Sequence, residues 1–160
     1  MELEFDIKMT ANDLYDYLLY HTYTSLSGIL SVIVGAFMVI AFAMGYSPIY
    51  LVAGIVVLGY LPYTFFIRSR KQFLNNPAFR EPLHYLVNDE GITVSQGEMS
   101  ETVEWEAFVK AVSTPKSILL YTNKVNASIF SKRELKDKKM LFIQAISTHM
   151  DAKKVKIRGN

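Results

Sequence analysis

The sequence of 160 residues contains no cysteine and a single tryptophan. Without cysteine, a disulfide framework, a cysteine nucleophile and a thiolate zinc site are all excluded. Charge is missing from one long stretch: no Lys, Arg, Asp or Glu occurs in the 51 residues from 17 to 67, although charged residues make up 20% of the chain. A water-soluble domain does not leave so long a stretch uncharged, so the sequence predicts a membrane protein.

The recognisable motifs of catalysis are also missing. The sequence has no HExxH motif, phosphate-binding glycine loop or nucleophile elbow, and its three histidines are not spaced as metal ligands. Glu104 and Glu106 alternate with Trp105, which indicates a solvated strand face rather than two carboxylates aimed at one point. We therefore predict a protein that is not an enzyme and that needs no cofactor or metal.

The uncharged stretch divides into two apolar segments, residues 26–44 and 49–67. Each is close to the about 20 residues that a membrane-spanning helix needs. The four residues between them, Gly-Tyr-Ser-Pro, have turn chemistry. We predict a transmembrane helical hairpin over residues 26–67. A buried hairpin in a soluble protein is disfavoured because the remaining chain is too short to cover it, and a signal peptide is disfavoured because the preceding segment is acidic.

Basic residues follow the second apolar segment, whereas the tip of the hairpin carries no charge. Arg68, Arg70 and Lys71 come directly after the segment. By the positive-inside tendency this end faces the cytoplasm, and both ends of a hairpin lie on the same side. The expected location is a bacterial cell membrane, with the chain crossing it twice and both termini cytoplasmic.

Small residues recur along the first apolar segment. Ser27, Ser31 and Gly35 are spaced by four, and Gly54 offers a small surface on the second segment. Such positions let helix backbones approach closely, so we expect them to pack the two helices together. A homodimer formed through the same residues is the alternative.

The rest of the chain divides into an N-terminal segment (1–25), a basic linker (68–82) and a C-terminal domain (83–160). The N-terminal segment predicts a strand at Glu2–Lys8, a capping box at Thr10 and Asp13, and a helix over 11–24. The C-terminal domain predicts six short strands, His84–Asn88, Ile92–Gln96, Thr102–Lys110, Ala111–Ser113, Ser117–Thr122 and Ala127–Phe130.

In the third of these strands Val103, Trp105, Ala107 and Val109 would share one face. A helix follows the strands, capped at Ser131 or at Asp137, with an apolar stripe of Phe142, Ile143, Ile146 and Met150. The predicted fold class is an α+β membrane protein, in which a transmembrane hairpin accompanies an antiparallel sheet closed by a C-terminal helix. The N-terminal strand is a candidate to join that sheet.

Several short motifs resemble the YcxB-like family of bacterial membrane proteins. They are Val87-Asn-Asp-Glu-Gly91-Ile92, Val103-Glu-Trp105-Glu106, Leu119-Leu-Tyr121 and Ile129-Phe-Ser-Lys132-Arg133-Glu-Leu135. The resemblance implies a cytoplasmic domain like the bacterial pleckstrin-homology (PH) fold, preceded by the two-span hairpin. It implies no catalytic residues. Ser131 departs from the proline common in relatives, which affects only the local turn.

Charge is distributed unevenly within the C-terminal domain. Residues 81–109 hold seven acids and no base, whereas residues 110–160 hold twelve bases and three acids. Basic residues near a membrane surface attract anionic head groups. The candidate contacts are Arg68, Arg70, Lys71, Lys132, Arg133, Lys136, Lys138 and Lys139. An ordinary solvated helix end is the alternative. Nucleic acid is not expected, because no aromatic residues are interleaved with these bases.

These observations favour a membrane-anchored, non-enzymatic binding or scaffold module that presents a PH-like domain at the cytoplasmic membrane face. Its expected partners are the lipid bilayer, anionic lipid head groups, an unidentified protein or a second copy of the chain. Self-protection against a membrane-active peptide such as a bacteriocin is the alternative function, because small multi-span proteins with related domains are associated with that role.

Overall fold

A computed structural model describes residues 2–157 of the chain. The helices are α1 (Ala11–Tyr23), α2 (Leu26–Ala43), α3 (Ile49–Asn75), α4 (Lys132–Leu135) and α5 (Lys139–His149). The strands are β1 (Leu3–Ile7), β2 (Leu83–Val87), β3 (Gly91–Gln96), β4 (Met99–Glu104), β5 (Lys110–Ser113), β6 (Ser117–Tyr121), β7 (Ala127–Ser131) and β8 (Val155–Lys156). The last three positions of the predicted C-terminal domain, 158–160, lie outside the described residues.

Helices α2 and α3 are long and apolar enough to cross a membrane. Most of their large apolar side chains are exposed, Phe37 to 67% and Val52 to 61%, so the described chain does not bury the hairpin in a core. The two helices pack against each other over their length. The hairpin is therefore apolar on the outside, as expected of helices that meet lipid.

Helix α3 continues beyond the predicted second span. It runs for 27 residues to Asn75, about 40 Å at 1.5 Å per residue. The segment from Arg68 to Asn75 is thus helical, and a short 3₁₀ turn, Pro77–Phe79, leads from it into β2. Side chains with good helix propensity, among them Arg and Lys, favour this continuation.

The strands form two four-stranded sheets rather than the single sheet expected. The first has the order β1-β2-β3-β4 and is antiparallel throughout, and the N-terminal strand joins it through pairs that run from Leu3 with Val87 to Ile7 with Leu83. The second has the order β7-β6-β5-β8, in which only the β5–β8 pairing is parallel. The fold is α+β.

Aromatic side chains from several elements form the centre of the core. Phe5 of β1 lies 5.3 Å from Phe142 of α5 and 5.7 Å from Tyr85 of β2, measured between ring centroids. Phe130 of β7 contacts Phe142 at 4.7 Å. The predicted apolar stripe of α5 is confirmed, since Phe142, Ile146 and Met150 are buried and Ile143 packs against the core.

The predicted single strand over Thr102–Lys110 is wrong. It is interrupted by a 3₁₀ turn, Trp105–Ala107, where the chain leaves the first sheet after β4 and enters the second at β5. Trp105 and Phe108 are buried, whereas Val109 is 49% exposed, so the expected alternation fails after Trp105. The Trp105 indole N–H donates to the carbonyl of Asn88 at 2.9 Å and holds the turn against the β2–β3 loop.

The start of the last helix also differs from the prediction. Ser131 precedes the four-residue helix α4, but its side chain forms no capping hydrogen bond, and α5 begins after Lys138 rather than at Asp137. Lys136 between them has a φ of 45°, in the left-handed region. The reversal at Lys136 separates α4 from α5, so one continuous helix does not form.

Candidate functional site

Helix α1 connects the hairpin to the two sheets. Its first turn carries the predicted capping box, which is confirmed: Thr10 N–H donates to Asp13 Oδ2 at 2.9 Å, and Asp13 N–H donates to Thr10 Oγ1 at 3.3 Å. On one side Tyr15 contacts Phe66 of α3 edge to face at 6.0 Å. On another side Tyr17 donates a hydrogen bond to the carbonyl of Val125, after β6. The helix thereby fixes the sheets relative to the end of the hairpin.

The three predicted basic residues of α3 lie on its exposed extension. Arg68, Arg70 and Lys71 are all solvent-exposed. The Arg70 guanidinium lies 4.4 Å from the centroid of the Phe66 ring, a cation–π contact that directs it along the helix. These side chains are accessible where α3 leaves the apolar segment.

The second predicted basic group is largely engaged by the chain itself. Lys132 Nζ donates to the carbonyl of Thr114 at 2.5 Å, and Lys138 Nζ donates to the carbonyl of Glu4 at 2.5 Å. Arg133 pairs with Glu134 at 2.8 Å and approaches Asp13 at 4.0 Å.

The environment of Lys132 reflects this engagement. Burial, together with the nearby charge of Lys139, lowers the pKa of Lys132, and Asp16 partly opposes the effect. Lys136 is exposed, and Lys139 is half-buried. Of the five bases, Lys132 binds the β5–β6 turn and Lys138 binds β1.

A basic cleft that sequence reasoning missed lies where α1 meets α2. It encloses about 400 Å³. It is lined by the end of α1, the junction with α2, the start of β5 and the β6–β7 loop; its residues are His21, Thr24, Ser25, Val109, Lys110, Tyr121, Asn123 and Lys124. No acid lines it, so Lys110 and Lys124 give its lining a net positive charge.

Aromatic rings organise the wall of this basic cleft. His21 stacks on Tyr17 at 5.8 Å and on Tyr121 at 6.2 Å. Lys110 Nζ lies 5.5 Å from the Tyr121 ring and 5.9 Å from the Tyr20 ring. Burial raises the pKa of Tyr121, so its hydroxyl stays neutral. Lys110 ends a predicted strand and His21 lies in the predicted helix over 11–24, 89 positions away, so no local sequence pattern relates the two.

Of the four small residues predicted to pack the hairpin, Gly35 and Gly54 lie at close contacts between α2 and α3, whereas Ser27 and Ser31 form hydrogen bonds around the start of α2. A β-carbon at Gly35 would come within 2.6 Å of Leu58 Cγ, and one at Gly54 would come within 3.0 Å of the Gly35 carbonyl oxygen. Ser31 donates to the carbonyl of Gly28 at 3.0 Å, and Ser27 lies 3.1 Å from Ser25 between hydroxyl oxygens.

Gly28 is not part of the predicted stripe of Ser27, Ser31 and Gly35, but it makes a closer contact than Gly35 or Gly54. A β-carbon there would lie only 2.0 Å from the Thr22 carbonyl oxygen. The turn between α1 and α2 therefore requires glycine at this position. The sequence signal for this contact is the glycine itself, which directly follows Ser27 of the predicted stripe.

Trp105 is a core residue, as expected, and not a ligand platform. It is 4% exposed and stacks on His149 at 5.0 Å with an interplanar angle of 13°. The neighbouring Glu104, at the end of β4, and Glu106, in the 3₁₀ turn, are both exposed. Within residues 2–157 no group of three or more His, Asp or Glu side chains is arranged to hold a metal ion.

Comparison with known proteins gives one finding. Residues 87–146 match the family model described as YcxB-like protein, which confirms the resemblance seen in the motifs. The matched segment runs from the end of β2 into α5 and includes Lys110 and Lys124 of the basic cleft. No curated protein and no solved structure matches the chain.

Proposed function

Since residues 87–146 identify the chain as a YcxB-like protein, we propose that it is a membrane-anchored, non-enzymatic binding module that holds its two sheets at the cytoplasmic face of a bacterial membrane. Helices α2 and α3 serve as the anchor. The sheets present the binding surface to lipid, to a protein partner or to a second copy.

The observation that carries the proposal is the pairing of β1 with β2 across the hairpin. β1 precedes both apolar helices and β2 follows them, yet the two strands are hydrogen-bonded along their length. Both ends of the hairpin therefore lie together, as two complete crossings require. Arg68, Arg70 and Lys71 on the exposed extension of α3 support a cytoplasmic position for these ends.

A PH-like fold for the sheet region belongs to the same proposal. The two sheets are rich in antiparallel pairs, and α5, which follows every strand except the short β8, packs its buried face on the core. β1, contributed from before the hairpin, adds a strand to the first sheet. In this arrangement the fold and the anchor share α1, so the domain is held close to the membrane rather than tethered by a flexible linker.

The membrane placement is tested by labelling, for which the absence of cysteine is an advantage. Two single-cysteine variants are made, Ser47→Cys at the tip of the hairpin and Ser100→Cys in the exposed strand β4. In intact cells a membrane-impermeant maleimide is expected to label the first variant and to reach the second only after lysis. Labelling of both variants before lysis, or extraction of the chain from membranes at alkaline pH, contradicts the proposal.

The binding role is tested on the full chain. Affinity purification from detergent-solubilised membranes is expected to recover a constant partner or bound anionic lipid. Repeated recovery of neither contradicts the role of a binding module. It leaves the anchor untouched, because the labelling experiment tests that separately.

A further inference from the structure

The basic cleft at the α1–α2 junction combines two cations without a counter-charge. Lys110 is held between the rings of Tyr20 and Tyr121, and Lys124 is exposed on the β6–β7 loop. Within residues 2–157 neither ammonium group forms a hydrogen bond or an ion pair. Lys132 and Lys138, by contrast, donate to carbonyl oxygens of the chain. The cleft therefore holds two positive charges that no described residue neutralises.

In the β6–β7 loop, hydrogen bonds within the loop use the side-chain oxygen of Asn123 and leave its side-chain nitrogen available as a donor. Asn123 Oδ1 accepts from the N–H groups of Val125 at 2.9 Å and Asn126 at 2.8 Å. The Asn123 amide nitrogen, a donor, forms no hydrogen bond with the described residues. Lys110, Lys124 and this amide therefore offer donors only, which is the chemistry that recognises an anionic oxygen group.

The basic cleft opens at the level where the first apolar helix begins. Ser25 lines it and caps α2, and the next residue, Leu26, is 75% exposed. Val109, which lines the cleft, and Val125, on the same loop as Lys124, are 49% and 57% exposed. Exposed apolar side chains thus lie beside Lys110 and Lys124 at the start of the first predicted span. In a membrane, this places the two lysines at the depth of the lipid phosphates.

We propose that this cleft binds the phosphate of an anionic lipid head group in the leaflet that borders the sheets, an inference that rests on the proposed membrane placement. Lys110 and Lys124 supply the charge, and Asn123 supplies a hydrogen bond. Bound lipid of this kind fixes the β6–β7 loop against the end of α1.

The experiment uses the full chain in neutral detergent micelles with added phosphatidylglycerol, and bound lipid is counted by native mass spectrometry. Lys110→Gln/Lys124→Gln is expected to weaken phosphatidylglycerol binding about thirtyfold, which corresponds to about 1 kcal/mol for each base. Lys110→Arg/Lys124→Arg is expected to retain binding. Phosphatidylcholine, which has no net charge, is expected to bind the wild type and the glutamine variant equally.

A matched control separates the cleft from general basicity. Lys153→Gln/Lys156→Gln removes the same charge from two exposed positions outside the cleft. It is expected to bind phosphatidylglycerol as the wild type does. Equal weakening by the control and the cleft variant, or undiminished binding by the cleft variant, overturns the proposal.

Two further measurements distinguish a lipid phosphate from a soluble phosphate, and a failure of the cleft proposal from a failure of the membrane placement. Inorganic phosphate is expected to leave phosphatidylglycerol bound, and displacement at concentrations matched to the lipid overturns the lipid assignment in favour of a soluble phosphate. Alkaline extraction of the cleft variant is expected to leave it in the membrane. Loss of lipid binding with the anchor intact supports the cleft, whereas extraction of the wild type shows that the membrane placement itself has failed.

Discussion

Asp16 lies on α1 with its carboxylate partly removed from water and accepts a hydrogen bond from the Thr114 hydroxyl at 2.5 Å. Burial raises the pKa of Asp16, although the hydrogen bond from Thr114 and the charges of Lys116 and Lys132 act in the opposite direction. The folded chain therefore holds a proton at this site more tightly than the unfolded chain does.

This raised pKa gives a pH-dependent prediction. A raised carboxyl pKa contributes stability below the unfolded pKa, and that contribution is lost as pH rises through the folded pKa. Asp16→Asn is expected to match the wild type at acidic pH and to exceed it in unfolding free energy near neutrality. Denaturant unfolding of the full chain in detergent, followed by the fluorescence of Trp105, measures the difference.

The control for this prediction is Asp137→Asn. Asp137 is exposed, and no hydrogen bond or ion pair joins it to another described residue. Its replacement is expected to leave the pH dependence unchanged. A wild-type pH profile in the Asp16→Asn variant would show that the carboxylate is not desolvated.

Single residues differ in how far the sequence predicts them. The alternating pattern puts Trp105 on the apolar face of a predicted strand, and the side chain is buried although the strand ends before it. The contact of Asp16 with Thr114 joins residues 98 positions apart. The periodicity of a local segment cannot predict a contact between residues so far apart in the sequence. The contact of Lys110 with the Tyr20 ring is unpredictable for the same reason.

At the scale of elements, α1 and α2 approach each other closely at their junction. Ser25 Oγ accepts from Gly28 N–H at 3.2 Å and donates to the Thr22 carbonyl at 2.6 Å. These bonds turn the chain between two helices within two residues. Because Gly28 has no side chain, the start of α2 can approach the backbone of Thr22 in α1 this closely.

Gly28→Ala is expected to destabilise the chain by about 1–3 kcal/mol, because the added methyl group meets backbone atoms that cannot rotate away. Gly59→Ala is the matched control, since a β-carbon there meets nothing within 4 Å. Thermal unfolding in detergent measures both variants. Equal stability of the two variants contradicts the close α1–α2 contact.

Elements with a strong local signal were predicted well. The ends of α2 agree with the prediction to within one residue, and the Gly-Tyr-Ser-Pro turn marks its C-terminal end directly. The break at Trp105–Ala107 was missed because apolar residues happen to alternate through it. A change of sheet is decided by packing against other strands, which alternation within one strand does not report.

At the scale of the whole molecule, β1 is a structural member of the first sheet although the hairpin separates it from its partner. Leu3, Phe5 and Ile7 are 7%, 5% and 0% exposed. A fragment that begins after the hairpin would leave Tyr85 and Phe142 without the Phe5 ring. The sheets therefore depend on both sides of the hairpin.

This dependence predicts the behaviour of two fragments. Residues 80–157 alone are expected to aggregate or remain poorly ordered, because the fragment exposes the apolar face that β1 covers. Residues 2–9 joined to residues 81–157 through a short Gly-Ser turn are expected to be better ordered, with the Ile7–Leu83 end of the strand pair adjacent to the turn. Dispersion of amide signals in NMR spectra distinguishes them. A well-dispersed spectrum from residues 80–157 alone contradicts the prediction.

The pairing of β1 with β2 also sets an order of events in biogenesis. The partners are 76 to 84 positions apart, so β1 leaves the ribosome long before β2 exists. Until β2 has been synthesised, β1 has no partner strand. Its alternating acids Glu2, Glu4 and Asp6 favour solubility and disfavour pairing with strands of other chains. In the proposed topology the first sheet closes only after both spans have been translated, and only if they return the chain to the starting side. In that topology, a completed first sheet marks a chain whose two spans have both been inserted.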